Sequence, residues 1–271
     1  MERIFFNNII FDFGWGSLLT IGGLLGSAVL IIGFVFWERR SEDPILDLSI
    51  FGSRNFSFAI LASIVGFGLM SGSNVLLPFY LVYGLKIDVS HAGFILMTFA
   101  VVFSMVSPVT GRLSDKVSKV RLTIIGMILA TINCIAFALL LPFLHLGILF
   151  GFMVLIGISY ALFITPNNNL VMSLAPEDKQ SISSSVFKLG TNMGQMFGLI
   201  LMQMIFTMRL PQVPGNTGFT LKSVPVPEMM AGFSWAYIGG AAMCLMAIFF
   251  SLFIRENEVK TTEVAETAFL G

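Results

Sequence analysis

The stretch "GRLSDKVSKVR", Gly111 to Arg121, lies between two long apolar runs and carries four basic residues and one acid. Only 11% of the 271 residues are charged, whereas 56% are hydrophobic, and the mean hydropathy is +0.91. This composition is far more apolar than that of a soluble domain and is typical of an integral membrane protein. A concentration of charge in such a chain indicates a short loop between two membrane-spanning helices. We call Gly111–Arg121 the basic segment.

Apolar runs of membrane-spanning length occur seven times in the chain. A helix needs about 20 residues to cross a hydrocarbon core about 30 Å thick. The seven runs lie at 17–37, 56–83, 91–110, 121–142, 146–165, 186–208 and 232–254. The sequence therefore predicts an all-α integral membrane protein with seven transmembrane helices. The run at 17–37 is long enough to be a retained helix rather than a signal peptide.

The distribution of lysine and arginine predicts the orientation of these helices, because short cytoplasmic loops are enriched in both residues. If the basic segment is cytoplasmic, 11 cations lie on its side of the membrane and 4 lie on the other. This bias predicts a multi-pass protein of the cell membrane with its N-terminus outside and its C-terminus in the cytoplasm. Residues 1–16 are then extracellular, 38–55 form a cytoplasmic linker, and 255–271 form a cytoplasmic tail.

Several functional classes find no support in the sequence. The formal net charge is zero, which gives no indication of nucleic-acid binding. Cys134 and Cys244 lie within apolar runs, where packed thiols are expected rather than a disulfide. The chain has no histidine cluster, no recognisable pair of nucleophile and base, and no phosphate-binding loop. We therefore predict no enzymatic activity, no metal site and no cofactor. The predicted partners are the lipid bilayer and small molecules.

The basic segment resembles the loop signature of the major facilitator superfamily, Gly-x-Leu-[Ala/Ser]-Asp-[Arg/Lys]-x-Gly-[Arg/Lys]-[Arg/Lys]. It departs from that pattern at Ser118, where the family has glycine, and at Val120, where a second base is common. The matching positions are Gly111, Leu113, Ser114, Asp115, Lys116 and Lys119.

Other stretches extend this resemblance to the fourteen-helix drug:proton antiporters. "WERRSEDPILDLSIFGSRNFSF" (37–58), "TPNNNLVMSLAPED" (165–178) and "KLGTNMGQMFG" (188–198) are similar to segments in the second half of such transporters. The resemblance implies that 17–37 is an extra helix and that 56–254 is the six-helix C-terminal domain. It further implies half of a proton-coupled multidrug efflux antiporter for small amphipathic substrates, present here as a fragment or as a split subunit. A separate or connected first half, or a second copy of the chain, would complete it.

The resemblance also assigns a role to the basic segment. In the family the loop acid forms part of a latch that closes the cytoplasmic side. Asp115 would meet a helix end in the first half, Gly111 would allow a sharp helix exit, and the segment's bases are Arg112, Lys116, Lys119 and Arg121. The alternative is a solvated acid that pairs with Arg112 or Lys116, which is worth little energy. The serines of 181–185 would receive the first half's own loop acid, with ordinary helix capping as the alternative.

Residues within the predicted helices suggest packing and lining roles. Gly190, Gly194 and Gly198 recur every four residues, so they share a face and allow close helix packing. Polar side chains in hydrocarbon need partners or water. In the superfamily the first, second, fourth and fifth helices of this domain line the central cavity. The candidate cavity-lining residues are therefore Asn74, Tyr160, Thr165, Asn192 and Gln195, each with a satisfied helix-helix contact as the alternative.

Two further features complete the expectations. Asn133 is expected to form an interhelical hydrogen bond, and Thr165–Asn169 is expected to be a polar helix exit. No aspartate or glutamate lies within the seven predicted spans, so the chain offers no obvious proton carrier. A seven-helix receptor fits the helix count but leaves the basic segment unexplained, and its retinal-binding form needs a lysine that 232–254 lacks. An inactive truncated transporter is the remaining alternative.

Overall fold

The computed structural model describes residues 18–38, 48–141, 146–175, 179–210 and 224–255, and all regular structure in these ranges is helical. A 3-10 turn, Leu48–Gly52, precedes the long helix Arg54–Phe79, and a π-helical turn, Tyr80–Gly84, continues that helix. The predicted all-α fold is confirmed. The seven α-helices are α1 (Leu18–Glu38), α2 (Arg54–Phe79), α3 (Val89–Ser114), α4 (Lys119–Leu140), α5 (Leu146–Ser173), α6 (Gln180–Thr207) and α7 (Val226–Leu252).

The chain divides into two compact units. The first, Met1–Leu48, contains α1, a helix of 21 residues whose sequence is uncharged until Glu38. The second, Ser49–Gly271, contains α2 to α7. Five described helices are long and apolar enough to cross a membrane, namely α2 with its π-helical turn, α3, α4, α5 and α7. Helix α6 has 28 residues, but Lys188, Asn192, Gln195 and Gln203 make it more polar than the others.

In the second unit, α2 packs against several of the other helices. It packs along α6 and α7 and touches α5, while α4 packs against α5 and α7 and α3 packs against α5. The core between these helices is aromatic. The rings of Tyr80, Phe137, Phe233 and Tyr237 meet at centroid distances of 4.4 to 5.5 Å, and the Tyr80 hydroxyl donates to the carbonyl of Leu141 at 3.0 Å.

Close packing of α2 against α6 depends on glycine. A Cβ added to Gly194 would collide with the backbone of Ile64, and one added to Gly198 would collide with the backbone of Gly68. A Cβ on Gly190 would make only ordinary contacts of 3.5 Å with Ile60 and Ile64 side chains. The glycine stripe of α6 therefore lies against α2, and its last two members permit backbone contact.

The expectation that Thr165–Asn169 ends a helix is wrong, because α5 continues through Pro166 to Ser173. The side-chain amides of two of its asparagines donate hydrogen bonds to neighbouring helices. Asn167 is fully buried and donates to the Ser63 hydroxyl of α2 at 2.5 Å. Asn169 donates to the Ser114 hydroxyl at the end of α3.

Two predictions about side chains in α4 can be compared directly with the structure. Asn133 is buried, and its amide donates to the carbonyl of Phe152 in α5 at 3.1 Å, which confirms the predicted interhelical hydrogen bond. Cys134 is buried, as is Cys244 of α7, and both are free thiols.

Candidate functional site

The basic segment contains the end of one helix, a short turn and the start of another. Helix α3 continues to Ser114, and α4 begins at Lys119, so the turn consists of 115–118. The predicted exit at Gly111 is therefore wrong by one helical turn. The Ser114 hydroxyl donates to the Gly111 carbonyl at 2.7 Å, which satisfies a carbonyl of the last turn and keeps that turn helical.

Three polar contacts fix this end of α3 to α5. Ser107 and Thr165 share a hydrogen bond of 2.8 Å between their hydroxyl groups. The Thr110 hydroxyl donates to the carbonyl of Ala161 at 3.0 Å, and Asn169 donates to the Ser114 hydroxyl at 3.0 Å. We call these three contacts the α3–α5 ladder. Because hydrogen bonds between buried or half-buried groups hold a defined geometry, the ladder fixes the orientation of the end of α3 and of the turn that follows it. Thr165, a predicted cavity-lining residue, is one rung of the ladder.

The acid of the basic segment lies on the surface without a charge partner. Asp115 is the C-cap of α3 and is exposed, and the neighbouring Arg112 and Lys116 are exposed as well. Among the described residues, the carboxylate of Asp115 forms no ion pair with either base, so the predicted alternative pairing is not formed here. The described ion pair is at the opposite end of α3, where His91 lies 3.9 Å from Asp88.

Helix α4 begins without help from Asp115. Its N-cap is Ser118, whose hydroxyl accepts from the backbone N–H of Arg121 at 3.2 Å. Ser118 is a position at which the chain departs from the family signature, and a serine cap satisfies an N–H that glycine would leave to water. The Asp115 side chain is thus not used to cap the next helix.

Among the described residues, none forms a side-chain cap on the first turn of α6. Its N-cap residue is Lys179, and the structure shows no capping hydrogen bond from that side chain. Ser184 and Ser185 donate back to carbonyls one turn earlier, at 2.8 and 3.1 Å, so the alternative of ordinary serine capping is not formed. Ser181, Ser184 and Ser185 are exposed, whereas Ser183 is fully buried.

The five predicted lining residues fall into two groups. Asn74 of α2 and Asn192 of α6 are exposed, and Gln195 is half-buried one turn beyond Asn192. Thr165 is half-buried in the α3–α5 ladder, and Tyr160 is only 2% exposed, with its ring edge-on to Phe99. Hydrogen bonds between these five residues are absent from the described part of the chain.

The polar residues of α6 form a stripe along the helix, whereas the sequence predicts separate roles for them. Lys188, Asn192 and Gln195 follow each other at intervals of four and three residues, which places them on one helical face. Gln203 continues this face two turns later, and Lys188 is exposed. An exposed amide or ammonium midway along such a helix is costly against lipid, so this face is suited to water or to another protein surface.

Sequence reasoning missed a contact between the first and last helices of the second unit. The side chain of Asn55 is 2% exposed and bonds both backbone groups of Arg255, accepting from its N–H at 2.9 Å and donating to its carbonyl at 3.3 Å. The Arg54 guanidinium lies 5.5 Å from the Phe58 ring centroid and 5.7 Å from that of Phe253. The partners are about 200 residues apart, and no local pattern signals such a pairing.

The helical arrangement and the charged turn can be compared with those of known protein families. The family model described as Major Facilitator Superfamily matches residues 5–207, three quarters of the chain. The chain belongs to the major facilitator superfamily. As a member of this superfamily it is a multi-pass membrane protein, and the fold class and the family predicted from the sequence are both confirmed.

Individual relatives within the superfamily are named for drug resistance, export or vitamin transport. Lincomycin resistance protein LmrB of Listeria innocua is 25% identical over 94% of this chain and 56% of its own length. Riboflavin transporter RibZ of Clostridioides difficile is 24% identical over 88% of this chain and 51% of its own. Multidrug export protein EmrB of Haemophilus influenzae is 27% identical over 59% of this chain and 32% of its own. The chain thus spans about half the length of the curated relatives it matches.

Proposed function

We propose that this chain supplies the C-terminal half of a proton-coupled multidrug efflux antiporter that works by alternating access. The observation that carries the proposal is the exposed, unpaired carboxylate of Asp115 at the end of α3, within a turn that resembles the family's latch. The names of LmrB and EmrB support drugs as the substrate class. Membership of a transporter superfamily favours transport over a seven-helix receptor or an enzyme.

The proposed latch acts through a helix terminus in the other half. The first N–H groups of a helix lack internal partners and carry partial positive charge, so a carboxylate there gains about 0.3–1 kcal/mol, and about 2 kcal/mol where partly buried. Asp115 is available for this contact because it does not cap α4 and the α3–α5 ladder fixes the helix that carries it. Docking of Asp115 stabilises the state closed to the cytoplasm. The serine-rich start of α6 is the proposed receptor for the corresponding acid of the first half.

The proposed substrate path runs along the exposed polar face of α6. Asn192, Gln195 and the exposed Asn74 of α2 provide hydrogen-bonding groups on a surface that is otherwise apolar. Such a mixture suits small amphipathic molecules. Described carboxylates occur only at helix ends and turns, at Glu38, Asp88, Asp115 and Glu228, so we place the proton-coupling group in the first half.

The proposed orientation puts the basic segment and the end of α7 in the cytoplasm and the N-terminus outside. The partner is a first half, carried on the same chain or on a separate one. A second copy of this chain is the alternative partner, because the two halves of these transporters are related by an axis along the membrane normal. Disulfide cross-linking from Asp115→Cys distinguishes the two partners. A first-half partner gives cross-links only to cysteines introduced into that half, whereas a homodimer also cross-links when this chain is expressed alone.

Asp115→Asn tests the latch. The substitution removes the charge but keeps a similar shape, and the matched control is Asp88→Asn at the opposite end of α3. Asp88 is also exposed, and asparagine still caps a helix well. In vesicles that contain both halves, proton-driven efflux of a cationic dye should fall roughly two- to tenfold for Asp115→Asn, given the energy of the helix-terminus contact. Asp88→Asn should leave the rate unchanged.

A labelling measurement separates the latch from a simple loss of folding. A cysteine introduced at the exposed Ser185, near the start of α6, should react faster with a cytoplasmic thiol reagent when Asp115→Asn opens that side. Equal labelling and equal efflux in Asp115→Asn and Asp88→Asn would show that Asp115 is an ordinary surface acid.

A further inference from the structure

The exposed side chain of Asn169 in α5 forms a hydrogen bond with a buried hydroxyl of another helix. Its amide donates to the Ser114 hydroxyl at 3.0 Å. Ser114 is 3% exposed and is the last residue of α3. The two residues are 55 positions apart in the chain. This bond therefore joins α5 to α3 at the residue directly before Asp115.

The Ser114 hydroxyl connects two hydrogen bonds. It donates to the carbonyl of Gly111 at 2.7 Å while it accepts from Asn169. A hydroxyl has one proton, so once that proton is given to Gly111 the oxygen can only accept from its second partner. The amide group of an asparagine supplies such a donor, whereas a carboxylate does not. We call these two hydrogen bonds the serine relay.

The serine relay lies at the base of the turn that carries Asp115. The backbone N–H groups of Lys116 and Val117 donate to the carbonyl of Leu113, at 3.1 and 2.9 Å. The conformation of the turn therefore depends on the last turn of α3. The relay holds that last turn from both sides of Leu113, at Gly111 and at Ser114. Only one peptide bond separates the relay from Asp115.

We propose that Asn169 is a positioning residue for the Asp115 carboxylate and that it acts through Ser114. The inference rests on the proposed latch and adds to it a residue of α5 outside the basic segment. A carboxylate that docks on another helix loses conformational freedom, and this loss opposes the contact. The serine relay orders the turn before docking, so less freedom is lost when the latch closes.

Hydrogen exchange of the purified chain in detergent tests the relay without the first half. In Asn169→Ala the backbone amides of 111–121 should exchange about two- to tenfold faster, as expected when one hydrogen bond is lost. The same change places a better helix former in α5, so the melting temperature should change little. Thr110→Val is the matched control, because it removes another hydrogen bond between α3 and α5 but leaves the relay intact. It should lower the melting temperature without faster exchange in 111–121.

Two more variants test the chemistry of the relay. Ser114→Ala should accelerate exchange at least as much as Asn169→Ala, and the double variant should equal Ser114→Ala, since both changes break the same relay. Asn169→Asp keeps the size of the side chain but cannot donate, so it should exchange as fast as Asn169→Ala. Unchanged exchange in Asn169→Ala, wild-type exchange in Asn169→Asp, an additive double variant or equal acceleration in Thr110→Val would overturn the proposal.

Transport measurements separate this inference from the proposed latch. In vesicles that contain both halves, Asn169→Ala should slow dye efflux by up to the factor found for Asp115→Asn, and the two changes together should slow it no further. If Asp115→Asn slows efflux and Asn169→Ala does not, the latch stands and the positioning role of Asn169 is wrong. If Asp115→Asn has no effect, the latch itself is wrong and the relay only orders a surface turn.

Discussion

Gly198→Ala gives the most direct test of how α2 and α6 pack. An added Cβ at Gly198 would fall against the Cα, carbonyl carbon and oxygen of Gly68, well inside normal contact distance. Carbon atoms in contact are ordinarily about 3.5–4.0 Å apart. Because the obstructing atoms are backbone, no side-chain rotation can relieve the collision, and the two helices must move apart by roughly 1 Å.

The magnitude follows from two opposing effects. Overpacking typically costs about 1–3 kcal/mol, and a collision with backbone belongs at the upper end. Replacing a helical glycine with alanine returns about 1 kcal/mol of helix propensity. The expected net loss is therefore about 2 kcal/mol. At Gly190 the new methyl makes ordinary 3.5 Å contacts, so only the gain in propensity remains.

The assay is thermal unfolding of the purified protein in detergent. For a domain of this size, about 2 kcal/mol corresponds to a decrease of roughly 4–8 °C in melting temperature for Gly198→Ala. Gly190→Ala, in the same stripe of the same helix, should be unchanged or slightly more stable. If the two alanine variants melt at the same temperature, the backbone contact between α2 and α6 does not exist as described.

Two further predictions concern helix ends. Asn55→Ala should lower the unfolding free energy by about 2 kcal/mol, because it removes two hydrogen bonds from a buried side chain to the backbone of Arg255. Asn74→Ala removes an exposed amide and should have little effect in the same thermal assay. Equal losses in the two variants would contradict this account. Ser118→Ala should cost about 1 kcal/mol by removing the α4 cap, whereas Ser118→Gly should cost only a few tenths. The reverse order of melting temperatures would show that the cap is unimportant.

Helix number and helix location could be predicted from the sequence, because the thickness of the bilayer sets a minimum apolar length. The helix ends could not. The length of the apolar run alone predicts that α5 ends at Thr165. In the structure Asn167 and Asn169 form hydrogen bonds with residues of α2 and α3, so the helix continues to Ser173. Polar residues predict a helix exit from the membrane by their composition, but here they form hydrogen bonds to other helices of the protein.

In the candidate site, too, the sequence predicts the positions of residues along the chain but not the contacts of their side chains. The position of Asp115 in a turn between two helices followed from charge and from the family signature, whereas its separation from Arg112 and Lys116 depends on side-chain positions. The spacing of the α6 glycines predicts a packing face, but only the structure shows that Gly194 and Gly198 approach the backbone of Ile64 and Gly68. The polarity of Tyr160 and the family's order of cavity-lining helices predict a lining role, whereas its burial against Phe99 depends on a helix about 60 residues away.

The bond between Asn55 and Arg255 also bears on the order of assembly in the cell. Asn55 enters the membrane near the start of α2, yet its partner is the residue that follows the last helix of the unit. Until α7 has been synthesised, the amide of Asn55 has no access to the backbone of Arg255. The unit can therefore reach its native packing only after ribosomal synthesis has passed Arg255. Until then α2 lacks the contact that joins it to the end of α7.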